Sequence, residues 1–288
     1  PAAGNWSGTL LNAILFHIPK NKALPRCGIV HRLDKDTTGL MVVAKNEITQ
    51  SNLVKQLQEK KVFREYRAIV WGQVLVNKTI DLPIGRHPTV RTKMAINKNN
   101  GKNAVTHYEV LERFLMHSYL RCKLETGRTH QIRVHMSHNT SPIVGDKTYG
   151  LKKIIPTKEM SSTLKEATIN FPRQALHSFS LGLIHPKTKE NMLWDSELPK
   201  DMKNLLELIF PVMTWGPRYS LGRFRSDLVA GSVVLFITVP QVIAYAFLAG
   251  MPAEAGLYAS MMSLVGYAVF GSSRALAVGP TAIVGIMT

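Results

Sequence analysis

Apolar positions change their spacing along the chain, and each change predicts an element. GLMVVAK (39–45) is an unbroken apolar run after a glycine and predicts a buried strand. In NEITQSNLVKQLQEKK (46–61) the apolar residues Ile48, Leu53, Val54 and Leu57 form a helical stripe with Asn46 placed to cap it, which predicts an amphipathic helix. VFREYRAIVWGQV (62–74), rich in β-branched and aromatic residues and closing on a glycine, predicts a second strand.

The segment 79–104 mixes Pro, Gly and Asn with basic residues and predicts loops that present charge. AVTHYEVLERF and YLRCKLET (within 104–126) predict two more strands, and THQIRVHMSHN (129–139) a helix followed by the turn-rich PIVGDKTYG. ALHSFSLGLIHPKT (175–188) reads as a strand with a turn, and LPKDMKNLLELI (198–209) as an amphipathic helix. Strands outnumber helices without strict alternation, so the class expected for residues 1–210 is α+β with a mostly antiparallel sheet.

The pattern then changes. Between Asp227 and Glu254 no residue carries a charge, and those 26 positions exceed the roughly 20 that a helix needs to span a hydrocarbon core. A second uncharged stretch covers 255–273 and a third starts at Ala275, so 227–288 is expected to be an all-α membrane segment cut short: two transmembrane helices and the start of a third. Pro240 and Gln241 mark a kink or a cavity-facing point in the first helix. Arg218, Arg223, Arg225 and Arg274 place both flanks, and the N-terminus, on the cytoplasmic side of the cell membrane.

Charge sharpens the division. Residues 1–213 hold 32 Lys and Arg against 17 Asp and Glu, a balance of +15, whereas 214–288 hold 4 against 2. An excess of that size on the first part points to a polyanionic partner, most often nucleic acid. Cys27 and Cys122 show no CxxC or metal-ligand spacing, so neither a disulfide nor a metal is assigned. The opening at Pro1 has no signal-type apolar core and is read as the edge of a fragment of a cytoplasmic protein.

The candidate chemistry starts at HRLDKDTTG (31–39), where Asp34 stands between Arg32 and Lys35. A solvated loop of cancelling charges would carry no chemistry. Yet HRLDKDTTG, FREYRAIVWG (63–72) and ETGRTHQIRVHM (125–136), with the opening PAAGNWSGTLLNAI, resemble in content and order the RluA/RluD-type pseudouridine synthases, which isomerise uridines in structured RNA. The resemblance implies a pseudouridine-synthase catalytic domain over 1–210, lacking the N-terminal RNA-binding domain and first strand of that family. It makes Asp34 the catalytic nucleophile or base, Tyr66 the active-site tyrosine and Arg133 the arginine paired with the carboxylate. Arg128 and His130 are implied to hold the motif or a phosphate, and Arg32, beside Lys35, to fill the gap left by the extruded base. It also implies no metal and no cofactor, and structured RNA, in this branch large-subunit ribosomal RNA, as partner. Flanking cations suit a carboxylate that must stay ionised at a sugar carbon, and the reacting bond is reached only when the base is flipped out. The basic loop from Arg86 to Lys102, with Arg91 and Lys93, is expected to clamp the RNA backbone.

The tail resembles the start of SulP-family anion permeases through its VPQ, AGLYAS and FGSSRALAVGP runs. That resemblance implies that Gly279-Pro280-Thr281 begins a half-helix aimed at an anion site. Three spans cannot close a transport path built from inverted repeats. Residues 211–226 form a junction without a Gly/Ser linker, and the whole is read as two joined gene products.

Overall fold

The computed structural model describes residues 5–90, 92–114, 116–151, 162–209 and 221–270, in two units that divide between Lys203 and Asn204. In the first unit, helix α1 (Leu10–His17) starts at Thr9 in a reciprocal capping box with Asn12. Strand β1 (Thr38–Gly39), helix α2 (Glu47–Gln58) and strand β2 (Phe63–Trp71) follow. Strands β3 (Lys78–Asp81), β4 (Ile84–Arg86), β5 (Met94–Ile96), β6 (Val105–Arg113) and β7 (His117–Leu124) come next. Helices α3 (Gln131–His138) and α4 (Ser162–Ile169) and strands β8 (Leu176–Ile184) and β9 (Asn191–Asp195) complete the unit's elements, and the division between the units falls within helix α5 (Lys200–Ile209).

One sheet organises the unit, in the order β1-β8-β2-β7-β6-β3 with β9 also on β8. Every pairing is antiparallel except β1 with β8, so the α+β reading holds. Strand β2 lies at the centre, and from Arg64 to Trp71 every residue is buried. A strand flanked on both sides and covered on both faces tolerates an apolar run rather than an alternation, which is why Ala68, Ile69 and Val70 follow one another there, each with no exposed surface. Phe179 is the extra residue where β8 runs past β2: Glu65 faces Ser180 while Tyr66 faces Ser178.

Three expectations are corrected. The strand predicted over 39–45 is only Thr38–Gly39, because its backbone donors go to three different places: Leu40 to the Ser178 carbonyl, Val42 to the His31 ring and Ala44 to the Gly28 carbonyl. The segment 79–104 is not merely loop. Ile80 in β3 pairs opposite Thr106 of β6, and Ile84 and Ala104 share a core cluster with Val134; these few apolar side chains are outnumbered locally by basic ones, which hid them. In α2, Asn46 caps as expected by accepting from the Thr49 amide, but Ile48 is 83% exposed, and Gln50 and Gln56 take buried places. Both glutamines bind backbone of other segments, Gln50 at Pro25 and Gln56 at Ile184. Cys27 and Cys122 are free and buried.

The second unit contributes helices α6 (Leu221–Leu248) and α7 (Ala253–Phe270). Helix α6 continues through Pro240. The two pack closely where Gly256 meets Val242 and Ala246, since a Cβ at 256 would lie 2.8 Å from the Val242 carbonyl oxygen. Among the described residues no helix is long and apolar enough to cross a membrane. The two tail helices, whose side chains are described only in part, therefore do not by themselves carry the expectation of membrane spans. Gly279, Pro280, Thr281 and the third segment lie outside the described residues.

Candidate active site

The turn bearing Asp34 is fixed from below by a distant part of the chain. Thr37 closes the turn by donating to the Asp34 carbonyl at 3.0 Å, and Gln174 Nε2 donates to the Lys35 carbonyl at 2.6 Å and to Thr37 Oγ1 at 2.9 Å. Asp36 sits in the left-handed region at φ 68°, which an aspartate tolerates better than most residues. Arg173 binds the Asp36 carbonyl and, through a fork of 2.7 and 2.8 Å, the Asp201 carboxylate. Gly39 then passes so close to β8 that a Cβ there would lie 2.1 Å from the Ser178 carbonyl oxygen. Only glycine fits that approach at φ 108°.

Strand β2 supplies the next side chain. Tyr66 is 6% exposed, and burial foremost, with the Asp34 charge adding, raises its hydroxyl above the usual range against the Arg64 charge and a hydrogen bond with Ser178. From helix α3, Arg133 reaches both sides of the site. Its Nη1 donates to Asp34 Oδ2 at 3.3 Å, while Nε and Nη2 hold Asp146 at 2.7 and 2.9 Å. The Asp146 side chain is fully buried and also accepts from the Thr148 and Tyr149 amides. Burial alone would raise its carboxyl, but the Arg133 bonds hold it below the usual carboxylate range.

The loop ahead of α3 is pinned by Gln131, which binds Val105 and Thr106 through its amide and accepts from Thr126 and the Arg128 amide. His130 takes φ 56° at the helix start and meets the Tyr149 hydroxyl at 2.8 Å; burial lowers its pKa and the Asp34 charge opposes that. Arg128 Nε donates to the Asn103 carbonyl, and Arg32 Nη1 to Thr129 Oγ1 at 3.2 Å.

These elements enclose one cleft of about 560 Å³. It brings together Asp34, Tyr66, Arg133, Arg32, Arg128 and His130 as the motifs suggested. Lys35 and Arg86, at the end of β4, are exposed and absent from its lining, and Lys93, just before β5, is half-buried and also absent from it. Arg91 lies outside the described residues. Sequence reasoning missed Asp146, although an acid after Gly145 in an apolar stretch was a signal, and missed His31 and Arg64, which line the same cleft. Among the described residues no group of His, Cys, Asp and Glu is arranged to hold a metal.

With this geometry in hand, the sequence matches become specific. Residues 14–138 match the model of the family described as RNA pseudouridylate synthase. Among individual proteins, it is 56% identical over 209 residues to the ribosomal large subunit pseudouridine synthase D of Pseudomonas aeruginosa, and 55% identical over 209 residues to that of Buchnera aphidicola. Each match covers 73% of this chain and 65% of the relative, so the chain spans a little under two thirds of these relatives' length. The solved structure of human RNA Pseudouridylate Synthase Domain Containing 4 is also similar, at 25% identity and a TM-score of 0.51, over 63% of this chain and 75% of that one. Residues 224–288 match the sulfate permease family model.

Proposed function

We propose that this chain isomerises uridine to pseudouridine in structured RNA, and that the RNA is that of the large ribosomal subunit. The observation that carries the proposal is the placement of Asp34 within reach of Arg133, above the buried Tyr66, in a single cationic cleft. The reaction breaks the bond from the sugar's C1′ to N1 of uracil, forms one from C1′ to C5, and moves the C5 proton to N1. Asp34 acts at the sugar as nucleophile or as proton-abstracting base. Arg133 holds its carboxylate in place, and the Tyr66 ring supports the flipped base while its hydroxyl helps take the C5 proton. Arg32 fills the gap in the RNA stack, and Arg86, Arg91 and Lys93 hold backbone phosphate. The catalytic part works in the cytoplasm.

The test is chemical mapping of pseudouridine in ribosomal RNA from a strain deleted for its own enzyme and complemented with each variant. This chain restores the modification, and Asp34→Asn or Asp34→Ala does not. Restoration by Asp34→Ala ends the proposal.

The match over 224–288 favours a second reading for the tail alone: residues 227–288 are the opening membrane segments of a sulfate-permease-like protein joined to the synthase. The uncharged stretch from 228 to 253 and the exposed Phe236 and Phe247 support it. Fractionation of cells expressing the chain tests it, the expected place being the membrane pellet.

A further inference from the structure

Strand β2 aims two side chains, not one, into the cleft. Residues two apart on a strand share a face, and because the irregularity opposite β2 lies in β8, Arg64 and Tyr66 keep that relation. Both line the cleft. Arg64 is 6% exposed, yet it has no carboxylate partner among the described residues: Nη2 donates to the Glu125 carbonyl at 3.2 Å, and Nε is buried with no hydrogen-bond partner. The two carboxylates lining the cleft are taken, Asp34 by Arg133, and Glu125 by Lys60 and His107, each at 2.8 Å.

A buried guanidinium with no counter-anion is costly unless something bound compensates it. Gly127 shows that the chain makes room for this group, since a Cβ there would lie 2.7 Å from Arg64 Nη1. Arg26, Arg32, Lys60 and Arg128 line the same cleft, so its cations outnumber its two carboxylates.

We propose that Arg64 is an RNA-binding residue that takes a phosphodiester oxygen of the bound strand next to the target nucleotide. The inference rests on the reading of the cleft as an RNA site. A phosphodiester supplies the missing anion, and a planar fork with an idle Nε suits its oxygens. Burial, which lowers the Arg64 pKa, is offset once that anion is seated.

The experiment is a salt titration of binding between the full chain and an unmodified large-subunit ribosomal RNA transcript. Arg64→Gln is expected to weaken binding about tenfold and to make the slope of log affinity on log salt shallower by about 0.7 to 0.9, the signature of one lost phosphate contact. Arg64→Lys keeps the slope. Gly127→Ala, which displaces the fork without removing charge, weakens binding about threefold and decides the matter should Arg64→Gln fail to fold. A wild-type slope for Arg64→Gln, or a loss confined to kcat, overturns the inference in favour of a contact to the base. A wild-type chain that binds with the expected slope but forms no pseudouridine sinks the proposed reaction and leaves the phosphate contact standing.

Discussion

Arg133 and Asp146 form a two-bond fork, 2.7 and 2.9 Å, on a carboxylate with no exposed surface. The third nitrogen of the same guanidinium is thereby left pointing at Asp34. In the proposed reaction Asp146 acts through Arg133 as a positioning residue. Asp146→Asn removes the charge that orients the fork, so kcat should fall at least tenfold with KM for RNA little changed. Breaking a buried pair also costs about 3 kcal/mol, read as a lower urea midpoint. Arg133→Lys should fail in the same way, since an ammonium cannot hold both carboxylates in one plane. Unchanged kcat in Asp146→Asn would show that Arg133 needs no second anchor.

Gly39 gives a purely structural test. Alanine there would place a Cβ 2.1 Å from the Ser178 carbonyl oxygen at φ 108°, combining a clash with backbone strain. Gly39→Ala should destabilise the first unit by about 3 kcal/mol or more and separate Thr38 from His177, which now meet at 2.8 Å. Thermal unfolding measures the first effect, and loss of modification at temperatures where the variant is still folded measures the second.

Acid should weaken the fold through two histidines. Burial lowers His31, helped by the Arg64 charge, and His117 to about 4. Unfolded, each takes up a proton near pH 6.5. Between those values the unfolded chain binds more protons, so the contribution of each histidine is complete above about pH 6.5 and is lost as the pH falls toward 4. Each is worth up to about 3 kcal/mol by that linkage. Urea midpoints across this range should fall, and His117→Phe, which cannot take the proton, should flatten the curve.

For the tail, the outcome is set by solvent. Leu235, Phe236, Phe247 and Leu248 are each more than half exposed on α6, and water disfavours so much open apolar surface. The full chain should therefore sediment with membranes and need detergent, whereas a chain ending at Ile209 should stay in the supernatant. Vesicles carrying only the full chain should take up no more labelled sulfate than empty ones.

The sequence revealed what depends on local chemistry. The Asn46 cap, the strand character of 63–71 and the three motifs that meet in the cleft all follow from residue type and spacing. What stayed hidden depends on partners far away. The run 39–45 looks like a strand, but its amides bind Ser178, His31 and Gly28 rather than one ladder. Gln50 and Gln56 are buried because backbone elsewhere receives them, and Asp146 acquires its meaning only from Arg133. Strands β3 to β5 were obscured because the buried Ile80 and Ile84 and the partly buried Met94 and Ile96 are diluted by basic neighbours in 79–104.

The clamp under the Asp34 turn also fixes when, during synthesis, that turn can take its shape. Apart from one local turn bond, the contacts that set the Asp34 loop come from Arg133, Arg173 and Gln174, between 99 and 139 residues further along. A ribosome adding about 5 to 20 residues per second needs roughly 7 to 28 s to travel from Asp34 to Gln174. During that interval the aspartate is already made, but until Arg133 follows only the Thr37 turn bond holds it, and the support from Arg173 and Gln174 comes last. A nascent chain stalled before residue 174 should leave the HRLDKDTTG loop open to protease, and a longer chain, once released, should protect it, so the loop takes its shape only when nearly the whole domain has emerged.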